Sequence, residues 1–553
     1  MQEQAQDDLI TRAQAWLAED PDPETAAELA ALIESADTAE LADRFSGTLQ
    51  FGTAGLRGEI GAGPMRMNRS VVIRAAAGLA AYLKAQGHDG GLVVVGYDAR
   101  YKSADFARDT AAVMTGAGLR AALLPRPLPT PVLAYAIRHL GAVAGVEVTA
   151  SHNPPRDNGY KVYLGDGSQI VSPADSEIAA QIAAVAKLAD VPRPESGWQE
   201  LGDEVLEAYL ARTDAVLTPG SPRGVRTVYT AMHGVGKDVV LAAFARHGFP
   251  EPVLVAEQAE PDPAFPTVAF PNPEEPGAMD LAFAKAAEVQ PDIVIANDPD
   301  ADRCAVAVPT GDGWRMLRGD EVGALLAAHL VHKGVSGGDK VFAESIVSSS
   351  LLGRIAEAAG VGHEETLTGF KWIARVKGLR YGYEEALGYC VDPEGVRDKD
   401  GVTAALLVAE LASVLKEQGR TLTDLLDDLA MAHGLHATDQ LSVRVSDLSI
   451  IADAMAALRA QPPVSLAGLR VVSAEDLSRG TETLPPTDGL RYYLDGAYKA
   501  RVIARPSGTE PKLKCYLEVV VPVAEASDLA PARVRGQEVL DAIKKDLSAA
   551  MGI

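Results

Sequence analysis

The chain has 553 residues, with 51 basic and 76 acidic side chains and a formal net charge of −25. This length exceeds what one hydrophobic core usually organises, so we expect several domains. The negative charge repels phosphate backbones and anionic lipid surfaces, which argues against nucleic-acid and membrane partners. Three cysteines without a CxxC pair favour neither a disulfide framework nor a zinc site.

The N-terminal segment MQEQAQDDLITRAQAWLAED is acidic and amphipathic. It has neither the basic start nor the apolar centre of a secretory signal. No stretch of the chain approaches the ~20 apolar residues of a membrane span. We therefore expect a cytoplasmic protein, in which an anionic substrate would need a local cluster of Arg and Lys.

Short β-rich runs alternate with Ala- and Leu-rich helical stretches, which predicts an α/β fold with mostly parallel strands. Predicted strands lie at 92–95, 227–229, 293–296 and 340–343. Near the C-terminus, strands at 499–504 and 513–521 flank a polar loop and precede a helix at 531–550, which indicates a smaller α+β module. Pro- and Gly-rich stretches predict the domain boundaries. The predicted domains are 1–218, 219–330, 331–455 and 456–553.

Two segments in the predicted first domain could serve a phosphate group. GTAGLRG, at 52–58, surrounds Arg57 with glycines that allow close approach of the backbone to an anion, although glycine-rich turns are common. In VTASHNPPRDNGYKVY, at 148–163, Ser151 lies in a turn rich in Asn, Pro and Gly. A serine nucleophile needs a neighbouring base or cation, and His152 and Lys161 are the local candidates. An ordinary turn at the start of a helix is the alternative.

The segment DIVIANDPDADRCAV places Asp298, Asp300 and Asp302 directly after an apolar strand. Alternate residues of an extended or tightly turned backbone point to one side, and three clustered carboxylates suit a hard cation such as Mg²⁺. An EF-hand loop does not fit, because Arg303 and Pro309 would occupy its positions 6 and 12. A solvated acidic turn is the alternative, and the adjacent guanidinium of Arg303 favours a phosphate ligand.

Near the C-terminus, RPSGT combines a guanidinium, two hydroxyls and a glycine, as a phosphate cradle requires, or it forms an ordinary hairpin loop. Two other patterns fail. HGVGK, ending at Lys237, is not a P-loop, because the template requires Gly at 231 and Ser or Thr at 238, where Ala and Asp stand. GTAGLRG also lacks the spacing of a dinucleotide-binding motif.

In order, GTAGLRG, TASHNPP with NGYK, DPDADR, GYEEALGY and RPSGTEPK resemble motifs of the α-D-phosphohexomutase superfamily, which includes phosphoglucomutases and phosphomannomutases. The resemblance spans about residues 50 to 520. It implies a heart-shaped molecule of four domains, three related α/β domains and a smaller α+β domain, around a central cleft. It also implies a phosphosugar mutase, an isomerase that uses Mg²⁺ and a 1,6-bisphosphate intermediate and activator.

The resemblance also implies a role for each matching residue. Ser151 would be the phosphoserine, with Asp298, Asp300 and Asp302 as metal ligands beside one of its oxygens. Arg57, His152 and Lys161 would transfer protons or stabilise charge. The implied substrate contacts are Arg303, Thr368, Gly369, Lys371, Glu384, Glu385 and Lys399. The implied anchor of the phosphate that is not reacting consists of Arg505, Ser507, Gly508 and Thr509.

One departure affects substrate preference. Many hexose enzymes of the superfamily carry Gly-Glu-(Glu or Met)-Ser in the sugar loop, whereas this chain has Tyr383, Glu384, Glu385 and Ala386. Together with TGFKW, this loop is similar to the branch that contains phosphoglucomutase-2 and phosphopentomutase-like proteins. Glucose is the predicted substrate, acting through glucose 1,6-bisphosphate, while mannose and pentose phosphates stay open.

Two other functions also stay open: a phosphatase with an aspartyl nucleophile and a sugar-phosphate binder without catalysis. Small sugar phosphates are the expected partners, and either a monomer or a homodimer is compatible with the sequence.

Overall fold

The structure is a computed structural model that describes residues 2–52, 54–445, 447–507 and 512–552. Its residues form two compact units. The first unit comprises 1–316 and 388–413, and the second comprises 317–387 and 414–553. Each unit is described by itself below.

The strands are β1 (Leu56–Glu59), β2 (Leu92–Tyr97), β3 (Arg120–Leu123), β4 (Ala144–Val148), β5 (Asp157–Leu164), β6 (Gln199–Glu200), β7 (Thr227–Thr230), β8 (Val253–Leu254), β9 (Ile293–Ala296), β10 (Ala305–Thr310), β11 (Gly313–Met316), β12 (Val341–Ser345), β13 (Gly362–Thr366), β14 (Leu379–Glu384), β15 (Gly388–Cys390), β16 (Leu435–Arg444), β17 (Ser465–Leu466), β18 (Leu469–Asp476), β19 (Leu490–Asp495), β20 (Lys499–Pro506) and β21 (Lys512–Val521).

The α-helices are α1 (Gln2–Glu19), α2 (Pro23–Glu34), α3 (Thr38–Arg44), α4 (Arg69–Ala85), α5 (Ser103–Gly116), α6 (Thr130–His139), α7 (Ala174–Ala183), α8 (Glu204–Arg212), α9 (Lys237–Arg246), α10 (Asp280–Val289), α11 (Gly319–His332), α12 (Leu351–Ala359), α13 (Phe370–Ile373), α14 (Gly401–Glu417), α15 (Leu422–His433), α16 (Ser449–Ala460) and α17 (Leu529–Met551).

The first sheet of the first unit has the strand order β1-β5-β4-β2-β3-β6. Its centre is parallel, because β2 pairs in parallel with both β3 and β4. Val93, Val94 and Val95 of β2 are fully buried, as expected for a central strand with helices on both faces. Helix α4 packs against α7 at Gly78, where a Cβ would lie 2.4 Å from a side-chain carbon of Ile182. This position therefore requires glycine for close packing.

The second sheet of the first unit has the order β11-β10-β9-β7-β8, with β7 parallel to β8 and β9. The predicted mostly parallel arrangement holds at the centre and at one edge of each sheet, where β6 and β8 lie, but not at the other edge. Strand β10 runs antiparallel to β9, and β5 runs antiparallel to β4. The chain reverses at each of these places through a short loop instead of a helix. These two loops carry Ser151 and the three aspartates.

In the second unit, β12 pairs in parallel with β13 and β14. A second sheet, with the order β16-β21-β20-β19-β18-β17, is antiparallel throughout its pairs, and α17 packs against β16 and β21. This arrangement confirms the predicted α+β module, and α17 is three residues longer than the predicted helix. The predicted domain boundaries stay predictions. Within the described residues, no helix has both the length and the apolar character needed to cross a lipid bilayer.

Candidate active site

Ser151 lies in the turn between β4 and β5, and only 2% of its surface is exposed. The turn leads into a strand and not into a helix. The φ angle of Ser151 is 51°, in the left-handed region. A residue with a side chain is strained there, and this conformation persists only where surrounding contacts hold it. The Ser151 N–H donates to Thr149 Oγ1 at 2.8 Å, and this hydroxyl donates to Asp98 Oδ2 at 2.7 Å. Asp98 and Thr149 were missed in the sequence analysis.

Arg100 is buried against the serine turn, and only 4% of the surface of Arg100 is exposed. Its Nη2 donates to the carbonyl oxygens of Ser151 and Asn153, both at 2.6 Å. Its Nη1 donates to the carbonyls of Pro154 at 2.8 Å and Asp157 at 3.1 Å. Four charge-assisted hydrogen bonds to backbone oxygens fix the turn in its strained conformation. Sequence reasoning also missed Arg100, although the GYDAR run at the end of β2 is a signal for it.

The Ser151 hydroxyl connects the serine turn to the acidic loop. Its Oγ donates to Asp298 Oδ2 at 2.8 Å, and His152 Nδ1 lies 3.2 Å from the same Oγ. The two loops are far apart in the sequence but meet in the first unit. The structure therefore brings the predicted nucleophile, one predicted metal ligand and the neighbouring imidazole into direct contact.

Asp298, Asp300 and Asp302 follow β9 and are completely buried. One carboxylate oxygen from each lies within 4.8 Å of the others, which confirms the predicted clustering. Ala301 adopts a φ of 53°, so the loop turns tightly between the second and third acids. Burial together with the charges of Asp300 and Asp302 raises the pKa of Asp298 well above its usual range.

Two buried lysines partly neutralise the acids. Lys161 Nζ lies 2.7 Å from Asp300 Oδ2 and 3.0 Å from Asp302 Oδ2, and Lys399 Nζ lies 3.2 Å from Asp302 Oδ2. Burial alone would lower the pKa of Lys161, but Asp300 and Asp302 raise it above its usual value. Burial opposes ionisation of Asp302, but Lys161 and Lys399 lower its pKa. Lys161 is thus held as an ammonium ion.

The acidic loop has the donor set of a magnesium site. Asp300 Oδ1 and Asp302 Oδ1 are buried and have no hydrogen-bond partner among the residues that the structure describes. A buried carboxylate oxygen without a partner is costly, and oxygen-only ligation is what Mg²⁺ prefers. The three aspartates could therefore hold the ion, with an oxygen on Ser151 as a neighbouring ligand.

Two arginines predicted for the site also belong to this cluster. Arg57 Nη1 donates to Asn153 Oδ1 at 3.2 Å, and burial together with the charge of Arg303 lowers the pKa of Arg57. The Arg303 N–H donates to Asp298 Oδ1 at 3.1 Å, and its Nε lies 3.8 Å from Asp302 Oδ1. The two guanidinium groups add positive charge where a phosphate would approach.

Thr130 was not predicted from the sequence. Its hydroxyl donates to Asp300 Oδ2 at 2.6 Å, and its N–H donates to the Asp300 carbonyl at 3.0 Å. Thr130 is the first residue of α6, which packs against the first sheet. This helix therefore contacts the acidic loop that follows β9 of the second sheet. Nothing in the PLPTP sequence around it indicates this contact.

In the second unit, the predicted substrate residues lie on two adjacent loops. The Gly369 N–H donates to Glu384 Oε1 at 2.6 Å, which joins the TGFKW segment to the sugar loop. Lys371 folds over Gly369, since a Cβ on this glycine would lie 3.2 Å from Lys371 Cε. Thr368 Oγ1 is buried and has no hydrogen-bond partner in the described part of the chain. A ligand hydroxyl is a suitable partner for this atom.

Glu385, the second acid of the sugar loop, is held by two serines. Ser345 Oγ and Ser348 Oγ donate to its Oε2 at 3.1 and 3.0 Å. The Glu385 N–H donates to Ser348 Oγ at 3.1 Å. Glu385 is therefore positioned by the serine-rich loop after β12, and Glu384 by the loop after β13.

Of the predicted phosphate anchor, the structure describes Arg505 and Ser507, whereas Gly508 and Thr509 lie outside the described residues. Arg505 lies near the end of β20, opposite Lys514 of β21. The Ser507 N–H donates to the Lys512 carbonyl at 2.8 Å. This hydrogen bond joins the residue after β20 to the first residue of β21, and a phosphate cradle is compatible with this pairing.

Comparison with known families gives four matches in chain order. Residues 48–189, 207–311 and 318–432 match the alpha/beta/alpha domains I, II and III of phosphoglucomutase/phosphomannomutase, and 441–535 match its C-terminal domain. The chain belongs to the phosphoglucomutase/phosphomannomutase family. It is therefore an isomerase of the intramolecular phosphotransferase type.

Individual members of the family are similar to most of the chain. A protein named probable phosphomannomutase from Haemophilus influenzae is 51% identical over 460 residues, covering 82% of this chain and 93% of that protein. The mouse phosphopentomutase is 35% identical over 563 residues, covering 92% and 89%. The crystal structure of a phosphoglucomutase/phosphomannomutase family protein from Burkholderia thailandensis has a TM-score of 0.67 at 20% identity, covers 90% of this chain and 96% of that chain, and shares the fold.

Proposed function

We propose that the chain interconverts hexose 1-phosphate and hexose 6-phosphate, with glucose as the preferred sugar and glucose 1,6-bisphosphate as intermediate and activator. The observation that carries this proposal is the 2.8 Å contact between Ser151 Oγ and Asp298 Oδ2. This contact supports the proposal because it joins the hydroxyl of the candidate phosphoryl carrier to a carboxylate cluster suited to a divalent ion. We propose Mg²⁺ for this cluster, where it would supply positive charge to the oxygens of the transferring group.

In the first step, the bond between phosphorus and Ser151 Oγ breaks while phosphorus bonds to the free sugar hydroxyl, which loses its proton. Phosphoryl transfer has a loose transition state, so positioning and charge neutralisation contribute most of the catalysis. The ammonium of Lys161 and the guanidinium of Arg57 fit the neutralising role. Because Asp300 and Asp302 keep Lys161 protonated, we assign the hydroxyl proton to the imidazole of His152. The leaving oxygen of Ser151, which lies 3.2 Å from His152 Nδ1, takes up a proton from this imidazole and ends the step as a hydroxyl.

The bisphosphate must then turn around, so that its other phosphate returns to Ser151. This step requires an anchor that accepts either phosphate, and we propose Arg505, Ser507, Gly508 and Thr509. We propose that Thr368, Glu384 and Glu385 bind sugar hydroxyls, and that Arg303, Lys371 and Lys399 contact the substrate near its phosphates.

A second candidate is preference for mannose or pentose phosphates. The similarity to a probable phosphomannomutase and to a phosphopentomutase favours this candidate. Ala386 also replaces the serine of many hexose enzymes in the sugar loop. The test is a parallel measurement of kcat/KM for glucose, mannose and ribose 1-phosphates, each with its bisphosphate activator. Glucose should give the highest value, and a tenfold preference for another sugar would contradict the glucose assignment.

The same assay tests the mutase reaction against its two alternatives. Isomerised sugar phosphate identifies a mutase, free inorganic phosphate identifies a phosphatase, and neither product identifies a binder. We propose that the reaction takes place in the cytoplasm, in a monomer or a homodimer.

A further inference from the structure

A cavity of about 660 Å³ opens in the second unit. Its lining includes Arg354 of α12, His433 of α15, His436 of β16 and Lys499 of β20. The volume lies within the range of roughly 300–1,000 Å³ that is typical of small-molecule sites. Lys499 begins β20, whereas Arg505 of the proposed phosphate anchor lies near its end, about 20 Å further along at roughly 3.3 Å per residue. The cavity is therefore distinct from the phosphate anchor.

His436 is a buried polar residue with one unused ring nitrogen. Only 2% of its side chain is exposed, and its Nδ1 lies 3.0 Å from Glu518 Oε1. The Glu518 carboxylate accepts this hydrogen bond, so Nδ1 carries a proton. The other ring nitrogen, Nε2, is buried and has no hydrogen-bond partner among the described residues. Such an atom in a cavity wall indicates a place for a ligand group.

The charges around the cavity favour an anion. The three acids of its wall are paired: Arg501 lies 3.2 Å from Glu518 and 3.0 Å from Glu365, and Arg354 lies 3.3 Å from Glu357. Lys499 is exposed and forms no ion pair with the part of the chain that the structure describes. Burial is the main cause of the lowered pKa of His433, and the neighbouring His436 and Arg354 lower this pKa further.

We propose that this cavity binds the phosphate monoester group of a small metabolite. His436, Lys499 and Arg354 are its cationic contacts, with His436 protonated at both ring nitrogens when the anion is bound. Glu518 stabilises that imidazolium from the opposite side. The cavity is larger than a phosphate ion, so the remainder of the metabolite has space in the part lined by Tyr493.

The wall of the cavity is connected to the sugar loop by hydrogen bonds. Ser349 Oγ donates to Glu518 Oε1 at 2.6 Å, and Arg501 donates to the Ser348 carbonyl. Ser348 Oγ in turn donates to Glu385 Oε2. A ligand in the cavity would therefore contact the network that positions Glu385.

The test follows the two cavity imidazoles directly, with inorganic phosphate as the probe and EDTA present. Histidine-selective ¹³C labelling of the full chain gives ring resonances, which His433→Gln and His436→Gln assign. Phosphate should shift both resonances to saturation. Lys499→Ala should weaken the fitted affinity at least tenfold, whereas the control Lys340→Ala, at an exposed lysine of the same unit, should not. Arg505→Ala should leave the shifts in place, because it alters only the proposed anchor.

Three results would overturn the proposal. The resonances of His433 and His436 could fail to saturate with phosphate, Lys499→Ala could bind phosphate as tightly as Lys340→Ala, or Arg505→Ala could abolish the shifts. A second variant, Arg354→Ala, keeps the test valid if Lys499→Ala folds poorly, and the same weakening is expected. The readout needs no turnover, so its failure is distinguishable from failure of the proposed mutase reaction.

Discussion

A Cβ on Gly234 would lie 2.4 Å from Pro299 Cα, so the backbone of the HGVG segment directly supports the acidic loop. The sequence HGVGK is thus not a nucleotide loop but a platform for the three aspartates. We predict that Gly234→Ala displaces Pro299 and lowers Mg²⁺ affinity by about 10- to 100-fold, as substitutions behind metal ligands commonly do. The measurement is the dependence of mutase rate on Mg²⁺ concentration. Gly311→Ala, where a Cβ meets nothing within 4 Å, is the matched control.

Ser151→Ala removes the hydroxyl that contacts Asp298 and His152. We expect mutase turnover to fall by about three orders of magnitude or more, because the variant lacks the hydroxyl of the turn that contacts the acidic loop. The far-UV circular dichroism spectrum should not change. Ser176→Ala, at an exposed serine of the same unit, should retain full activity. An unchanged rate in an assay primed with glucose 1,6-bisphosphate would refute the assignment.

Asp300→Asn keeps the shape of the side chain but removes a charge next to Lys161 and Thr130. We predict a loss of activity of about 100-fold or more and a weaker response to Mg²⁺. Steady-state rates with and without EDTA measure both effects. The exposed Asp312→Asn is the control. Full activity of Asp300→Asn in EDTA would show that the acidic loop does not bind the metal.

Arg100→Lys retains the charge but cannot reproduce the fork that binds four carbonyls of the serine turn. We expect kcat to fall about tenfold or more while KM changes little, because the turn loses its fixed geometry. The free energy of unfolding should fall by about 1–3 kcal/mol, typical for lost hydrogen bonds to a charged group. Urea unfolding and steady-state kinetics test both parts. Arg108→Lys, at an exposed arginine of α5, should change neither quantity.

Because Asp400 is buried, we expect the free energy of unfolding to depend on pH. Burial raises its pKa to about 6, although Thr403 and Tyr209 donate hydrogen bonds to it. In the unfolded chain an aspartate has a pKa of about 3.9, so between about pH 4 and 6 the folded chain binds this proton more tightly than the unfolded chain. The contribution of Asp400 to the free energy of unfolding therefore falls as the pH rises through this range. Asp400→Asn should therefore gain stability relative to the unmodified chain across this window. Urea unfolding at pH 4, 5, 6 and 7 measures the difference, and a constant difference would contradict the assignment.

The acidic loop could be predicted from the sequence because its chemistry is local. Asp298, Asp300 and Asp302 stand on alternate positions after an apolar strand, and the tight turn at Ala301 keeps their carboxylates together. The α/β fold could also be predicted from the sequence, because buried strands such as β9 are short apolar runs. Features of this kind depend on residues that are close together in the sequence, so the sequence alone indicates them.

Arg100, Asp98 and Thr130 could not be predicted in the same way. The first two act on the serine turn only because the sheet places β2 beside β4, and Thr130 acts on Asp300 across two sheets. The antiparallel edges were missed for a related reason, since the composition of a strand does not reveal whether a loop or a helix follows it. These features depend on strand order, which residue patterns specify only weakly.

The left-handed conformation of Ser151 has a consequence for turnover. Arg100 and Thr149 hold the turn in place through backbone groups, so a phosphoryl group on the Ser151 hydroxyl, as the proposed reaction requires, would leave these contacts intact. We therefore expect little conformational change of the turn in either half of the proposed reaction. In the proposed reaction, the large movement of each cycle would be the turning of the sugar bisphosphate.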